Sequence, residues 1–588
     1  MSNSTSSLNQ QQQEAATHTQ GASVILAGAG SGKTRVLVTK VLHLIQRENV
    51  SPQAILMITF TNKAAGEMKQ RMGAVKLGFV GTFHSFCARA LRIDGEHVGL
   101  DPRFVIYDTD DQTALMKRIL KDVPTKFSPS YFLNRISAAK NELISADAYL
   151  SVFKDYQSQL VSEIYIEYQK RLQKNKAIDF DDLLMKAYEL LKNNEEIRTK
   201  YQTRYQHILV DEFQDTNSAQ YALTKILSLA HENITVVGDF SQSIYSWRGA
   251  DIRNLERFSK DFPESKTYYL ERNYRSTQAI LSFAFGVIKE NTTHPILELH
   301  TQGNDGDEVT IHEAFDEQDE VRYIIDEIHK RSYDRDGESY AALYRTNAQS
   351  RVLEEALLHE GLPYVLVGGQ RFYERKEVKD VLCYLRLLVN PLEEIALARA
   401  KKIGKRRYQA FANMYTEIAG QKDELTTGQL MERVFDATQY LSLYDPHSEE
   451  DYGRLENIRE LKSVADRFPK LDEFLEQIAL VESEYSEDEK HKKHTVNITL
   501  MTLHQAKGLE FDVVFIMGLE EGVLPHSRSL DDQHSLEEER RLFYVGITRA
   551  RHLLYITHAR KRFLFGRRSF GIKSRFLLEE GSDPTDRW

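Results

Sequence analysis

A chain of 588 residues is too long for a single hydrophobic core and calls for about three to five domains. With 41% hydrophobic and 28% charged residues, no apolar run long enough to span a bilayer and no basic-then-apolar leader at the N-terminus, it is expected to be a globular cytoplasmic protein rather than a membrane or secreted one. Cys87 and Cys383 alone exclude a disulfide framework or a cysteine-bound metal and read as buried thiols, and the net charge of -10 leaves room for a nucleic-acid partner only where basic residues cluster locally.

The first legible element is a short apolar strand, Ser23 to Leu26. It runs into Ala27, Gly28, Ala29, Gly30, Ser31, Gly32, Lys33 and Thr34, then Arg35, with Leu37, Val41, Leu44 and Ile45 following at helical spacing. Strand, glycine loop and helix stand in the order that a phosphate-binding loop needs. Small residues let backbone N–H groups curl around phosphates, and the helix N-terminus adds partial positive charge. Lys33 neutralises the outer phosphates, and the Thr34 hydroxyl suits magnesium. Ala27 stands where the general pattern has glycine.

Such a loop needs an acidic partner, and a second apolar strand, Ile208 to Val210, ends in Asp211 and Glu212. Side chains alternate across a strand, so the two carboxylates suit different tasks: Asp211 the magnesium shell, Glu212 the attacking water. A surface acidic cluster is the alternative reading. A third strand, Ile234 to Val237, leads into a polar loop holding Trp247, one of two tryptophans. A lone Trp is usually core, yet its Gly, Ser and Arg neighbours suit a stacking platform, worth about 1 to 3 kcal/mol per base. A further short strand ends at Leu343 and Tyr344, and others are expected at Val513 to Met517 and Leu553 to Ile556. Two basic runs, Lys401 to Arg407 and Arg560 to Arg575, read either as solvated surface or as phosphate contacts.

Taken in order from Leu8 to Arg575, these segments resemble the motifs of superfamily 1 helicases of the UvrD/PcrA/Rep family, over nearly the whole chain. Leu8, Asn9 and Gln12 resemble the adenine-reading Q motif, although the run Gln10 to Gln13 reads equally as a polar tail. Thr59 to Ala65 and Gly81 to Ser85 resemble motifs Ia and Ib. The resemblance assigns single-stranded DNA to Phe60, Asn62 and His84, with Phe60 also readable as core. Gly238 to Ala250 is similar to motif III, which implies that Gln242 senses the γ-phosphate and that Tyr245, Trp247 and Arg248 face DNA. Glu271 to Ser276 resembles motif IV, with Tyr274 on adenine and Arg275 on the γ-phosphate. Thr502 to Phe511 and Glu539 to Ala550 resemble motifs V and VI, giving His504 to DNA or coupling, Glu510 to the ribose and Arg549 to the γ-phosphate. Arg345 and Asn347 match a DNA contact of the second core. Leu564, Phe565 and Gly566 match the tip of a hairpin that meets the duplex junction, which makes Phe565 the expected pin; a hydrophobic anchor for the C-terminus is the other reading.

The fold class expected is α/β: two RecA-like parallel-sheet P-loop NTPase cores, each with a mostly helical insertion. Residues 1–89 and 205–271 form the first core around the insertion 90–204. Residues 272–385 and 495–588 form the second, around a shortened insertion 386–494, where Ala400 to Arg407 compresses the family pattern. The resemblance places ATP between the cores, at the carboxyl ends of their strands. It implies an ATP- and Mg2+-dependent motor that walks 3′ to 5′ on single-stranded DNA and opens duplexes at single-strand/duplex junctions, in DNA repair or replication. The chain ends soon after the last motif, so no RNA polymerase contact is expected. A translocase that strips proteins from DNA is the nearest alternative. A catalytically silent DNA-binding scaffold is a further one, disfavoured by the joint presence of Lys33, Asp211, Glu212, Gln242, Arg275 and Arg549.

Overall fold

The computed structural model describes residues 8–334, 337–418, 420–491, 497–564 and 567–577. The chain divides into two compact units, Met1–Arg275 with Ile288–Gly303, and Ser276–Val287 with Asn304–Trp588.

In the first unit the strands are β1 (Ser23–Ala27), β2 (Ile55–Thr59), β3 (Phe79–Thr82), β4 (His207–Val210), β5 (Ile234–Gly238) and β6 (Lys266–Leu270). They form one sheet in the order β3-β2-β4-β5-β1-β6 with every pairing parallel. The strands β1, β2, β4 and β5 are buried at every position, which is why they read as continuous apolar runs rather than alternating ones. Successive residues nevertheless serve opposite faces. Val24, Leu26, Ile58, Val210 and Val236 join one core. Ile25, Met57, Leu209 and Val237 join another, with Val36, Leu37, Val41 and Leu44 of the helix Lys33–Gln46.

Between β3 and β4 the chain is helical, with a separate core around Phe132, Tyr165 and Tyr168. Lys140 lies in that core, wholly buried, 2.6 Å from Asp179 and 2.9 Å from Asp182. Residues 272–275 and 288–303 pack with this unit: Asn273 donates from its amide to the Ala29 carbonyl at 2.7 Å.

The second unit repeats the architecture with β7 (Thr310–Ala314), β8 (Ser339–Tyr344), β9 (Tyr364–Leu366), β10 (Asn497–Thr502), β11 (Phe511–Ile516) and β12 (Ala550–Ala559). The order is β9-β10-β8-β11-β12-β7, again all parallel. Its helical segment begins with Lys376–Val389, which runs unbroken across position 386 because Val378, Val381, Leu385 and Leu388 all face the helical core. After β12 comes an antiparallel ribbon of β13 (Lys561–Leu564) and β14 (Arg567–Phe570). Phe565, the expected pin, lies outside the described residues. Both cysteines are buried free thiols, and among the described residues no helix is long and apolar enough to cross a membrane.

Candidate nucleotide and nucleic-acid sites

Strand order brings the chemistry of the first unit together. Because β1, β5 and β4 are neighbours, the segments leaving their carboxyl ends meet: the glycine loop, Asp239 and the Asp211-Glu212 pair. Ala27 is the last residue of β1 and wholly buried, so the alanine in the first loop position packs as core. The Gly28 N–H reaches the Leu270 carbonyl at 3.3 Å, and Ser31 turns back on Gly28 O through its hydroxyl at 2.8 Å. Gly30 and Gly32 sit at φ 64° and 84°, conformations that exact a steric cost from residues with a Cβ. At Gly30 a Cβ would also stand 2.7 Å from the Asn273 amide. Gly32 caps the helix Lys33–Gln46 without any side-chain hydrogen bond to its first turn. A phosphate is the natural partner for those N–H groups.

Two segments remote in sequence are fastened to this loop. Gln12, 1% exposed, donates to the Ser31 carbonyl at 2.8 Å and forms a reciprocal cap with Asn9. The Tyr274 N–H donates to Gly30 O at 3.0 Å, and its hydroxyl accepts from Asn9 at 3.0 Å. The Tyr274 ring is half exposed, with the Arg272 guanidinium 4.9 Å over it. Gln12, Tyr274 and the loop are thus one assembly, beside the half-buried Arg275, Lys33 and Thr34 and the exposed Arg35.

Asp211 is 4% exposed, and its Oδ1 has no hydrogen-bond partner. Burial, reinforced by Glu212, raises its carboxyl well above the usual range, while Lys33 acts the other way. A buried carboxylate oxygen lacking a donor is suited to a divalent cation, and the Thr34 hydroxyl supplies a second oxygen of the right kind. Glu212 stands at φ 52° and ψ 42°, in the left-handed region, a conformation costing a non-glycine residue about 1 to 2 kcal/mol.

Sequence reasoning gave no role to Gln214, which is fully buried and links the parts of the site. Its amide donates to Glu212 Oε2 at 2.5 Å, and its carbonyl oxygen accepts the Asp239 N–H at 3.1 Å. The Asp239 carboxylate accepts from the Gln242 amide at 2.6 Å. One glutamine therefore joins the expected base to the segment of the expected γ-phosphate sensor. Its only signal in the sequence was its place two residues beyond Glu212.

Six of the expected DNA ligands lie in this unit. Phe60 stacks on Tyr245 with ring centroids 5.6 Å apart and planes 12° from parallel. Trp247 is 46% exposed, so it is not core, and Arg248 lies 4.5 Å over it and 5.3 Å from Tyr245. Asn62 is exposed. His84 is edge-on to Phe180 at 5.9 Å, with its pKa lowered by burial.

Three second-unit arginines are held by protein acceptors. Arg345, read as an open DNA ligand, is held by both Glu539 oxygens at 2.8 to 3.0 Å and by Glu449 at 3.4 Å. Those carboxylates occupy its planar fork. Arg549 is 1% exposed and donates to the Val545 and Leu509 carbonyls and the Thr548 hydroxyl. Arg562, counted in the basic C-terminal run, is buried between Glu520 and Glu320 at 2.6 and 2.7 Å. Glu510 pairs with Arg551 at 2.5 Å; Asn347 is exposed and His504 half-buried.

A parallel sheet whose glycine loop, acidic pair and polar third-strand loop converge defines a P-loop nucleotide-hydrolase fold in the first unit, and the second unit holds another six-stranded parallel sheet with its own helical segment. The UvrD/REP helicase N-terminal domain matches residues 8–263, and the UvrD-like helicase C-terminal domain matches residues 268–421 and 402–561. The chain belongs to the UvrD/Rep family of superfamily 1 helicases. It is 43% identical to the ATP-dependent DNA helicase PcrA of Bacillus subtilis, in an alignment taking in 98% of this chain and 86% of that protein. It is 41% identical to the proteins of the same name from Staphylococcus epidermidis, over 98% of this chain and 87% of that protein, and Staphylococcus aureus, over 97% and 86%.

Proposed function

We propose that this chain is an ATP-dependent DNA helicase that moves 3′ to 5′ on single-stranded DNA and opens duplexes at single-strand/duplex junctions, serving DNA repair or replication in the cytoplasm. The observation that carries the reading is the continuity of one segment. Asp239 and Gln242 are bonded into the acidic site through Gln214, and within six residues follow the half-buried Tyr245 and the exposed Trp247 and Arg248, an aromatic and cationic surface. The polarity rests on the family resemblance.

In this reading the domains are the two cores and insertions given by the sequence. Gln12 takes the adenine edge, Tyr274 its face, and Glu510 the ribose. The loop from Ala27 to Thr34, with Arg35 beside it, cradles the phosphates, and Lys33 neutralises the outermost. Thr34 and Asp211 would hold Mg2+, which when bound withdraws charge from the phosphate oxygens. Glu212 accepts the proton of the attacking water, in the geometry that Gln214 fixes. Gln242 and Arg275 read the γ-phosphate, and Arg549 serves it once released from its own carbonyls. Phe60, Asn62, His84, Tyr245, Trp247 and Arg248 track the strand by stacking and phosphate contact, which tolerates any sequence. Asn347 and His504 extend the track, and Arg345 positions the motif VI helix through Glu539. Phe565 is the junction pin.

The test is ATP turnover with and without single-stranded DNA, alongside displacement of duplexes bearing a 3′ or a 5′ tail. Turnover stimulated by single strands and displacement from 3′ tails are expected. Turnover indifferent to DNA refutes the motor, and displacement from 5′ tails alone refutes the polarity.

A further inference from the structure

The second unit carries an aromatic surface at the base of the ribbon whose tip holds the expected pin, made of residues given no individual role above. The chain leaving β7 continues at Phe315, whose carbonyl accepts the Lys561 N–H at 3.1 Å. Lys561 is in turn the cross-strand partner of Phe570. Phe315, Lys561 and Phe570 therefore form one row across three adjacent segments. The Lys561 ammonium stands 4.9 Å from the Phe315 ring and 5.9 Å from the Phe570 ring, so all three side chains share a face. Two residues along β13 the pleat returns Phe563 to that face, and the Arg467 guanidinium lies 5.1 Å over its ring.

Exposure and charge together point to the kind of partner. Phe570 is 81% and Phe315 56% exposed. One exposed phenylalanine is ordinary, but two rings bridged by an ammonium make a surface with apolar faces and a fixed cation. Neighbouring carboxylates are already engaged: Glu313 by Arg560, Glu317 by Arg467 at 2.9 Å, and Asp319 by the Phe315 N–H at 2.9 Å. An apolar protein partner would have no use for cations interleaved with the rings, whereas unpaired bases stack on such rings while their phosphates meet the ammonium.

We propose that the row Phe315, Lys561 and Phe570 is a second contact for single-stranded DNA, separate from the Trp247 surface, with bases on the two rings and a phosphate at Lys561. It rests on the reading of the chain as a DNA motor. The test is equilibrium binding of a fluorescein-labelled oligothymidine to the full chain across a salt series. The Phe315→Ala/Phe570→Ala pair is expected to bind about tenfold more weakly. The Phe315→Trp/Phe570→Trp pair, which keeps the stacking faces, is expected to retain parental affinity. Lys561→Ala is expected to lower the salt slope by about 0.7, the share of one single-strand phosphate contact. A folded alanine pair within about twofold of the parent, or an unchanged slope for Lys561→Ala, overturns the proposal. The parent's own binding and DNA-stimulated turnover separate the two readings. Their absence refutes the motor, and their presence with unaffected variants refutes only the row.

Discussion

Gln214→Ala removes a side chain that joins Glu212 to Asp239. The Gln214 amide is 2.5 Å from a Glu212 oxygen and its carbonyl oxygen 3.1 Å from the Asp239 N–H. A hydrogen bond to a charged group is worth about 1.5 to 3 kcal/mol, and a buried N–H left without its acceptor costs about 1 to 3 kcal/mol. Part of that falls on stability, because the amide is wholly buried. The functional part falls on turnover, since a misplacement of about 1 Å at a reacting group lowers rate by about 10²-fold. With the phosphate loop untouched, kcat is expected to fall about 10- to 100-fold at saturating ATP and DNA while nucleotide affinity holds. Gly238→Ala supplies an independent perturbation, because a Cβ there would lie 2.6 Å from Gln214 Oε1 and displace the amide without removing it. Steady-state hydrolysis and binding of a fluorescent nucleotide read the two effects separately. If both variants fold and keep kcat within about threefold of the parent, the link between base and sensor has no role in hydrolysis.

Glu212→Gln is expected to retain nucleotide binding and lose nearly all turnover, whereas Lys33→Ala weakens binding as well; near-normal hydrolysis by Glu212→Gln would remove it as the base. Trp247→Ala is expected to weaken single-strand affinity about tenfold, with little sequence preference, and to reduce DNA-stimulated turnover more than basal turnover. Unchanged affinity with a lowered melting temperature would make the exposed ring structural. Lys40, on the helix Lys33–Gln46, is buried near the amino ends of the first sheet's strands, donating to the Ala15 and His18 carbonyls, and burial pushes its pKa down from 10.5 to about 7. Between those values the unfolded chain keeps a proton that the folded chain has released, so this group makes stability rise with pH from about 7 to 10.5. His18 and His207 nearby, both lowered to about 4, do not change charge in that window. Lys40→Met is expected to flatten the rise of melting temperature with pH over it, and a slope equal to the parent's would refute the assignment.

The phosphate loop was legible because everything that defines it is local: strand, small residues, Lys33, Thr34 and the helix repeat follow one another without a gap. Asp211 and Glu212 were legible for the same reason, as carboxylates at the end of an apolar strand. Gln12 and Tyr274 were not, since the loop they are bonded to lies about 20 residues from one and 240 from the other; only family resemblance named them. Charged residues with distant partners show least of their surroundings in the local sequence. Arg345 carries the local pattern of an exposed arginine after a strand, yet it is fixed by Glu539, 194 residues on. Arg562 looked like part of a basic surface, but its carboxylates are 42 and 242 residues away. Helical periodicity likewise gives no sign that Lys140 is buried against Asp179, 39 residues away. Local spacing can specify a backbone shape and the groups it presents. Whether a cation faces solvent, substrate or a buried carboxylate depends on which distant segments the fold brings beside it, because a charge removed from water must be met by an opposite charge or by hydrogen-bond acceptors, or be neutralised. That explains why a motif arginine in this chain carries information about position more reliably than about contact. Arg549 is the sharpest case, since the family resemblance gives it to a γ-phosphate while its guanidinium here donates to the Val545 and Leu509 carbonyls and the Thr548 hydroxyl. Its proposed role asks the guanidinium to exchange neutral acceptors for a γ-phosphate, a trade that favours the charged partner.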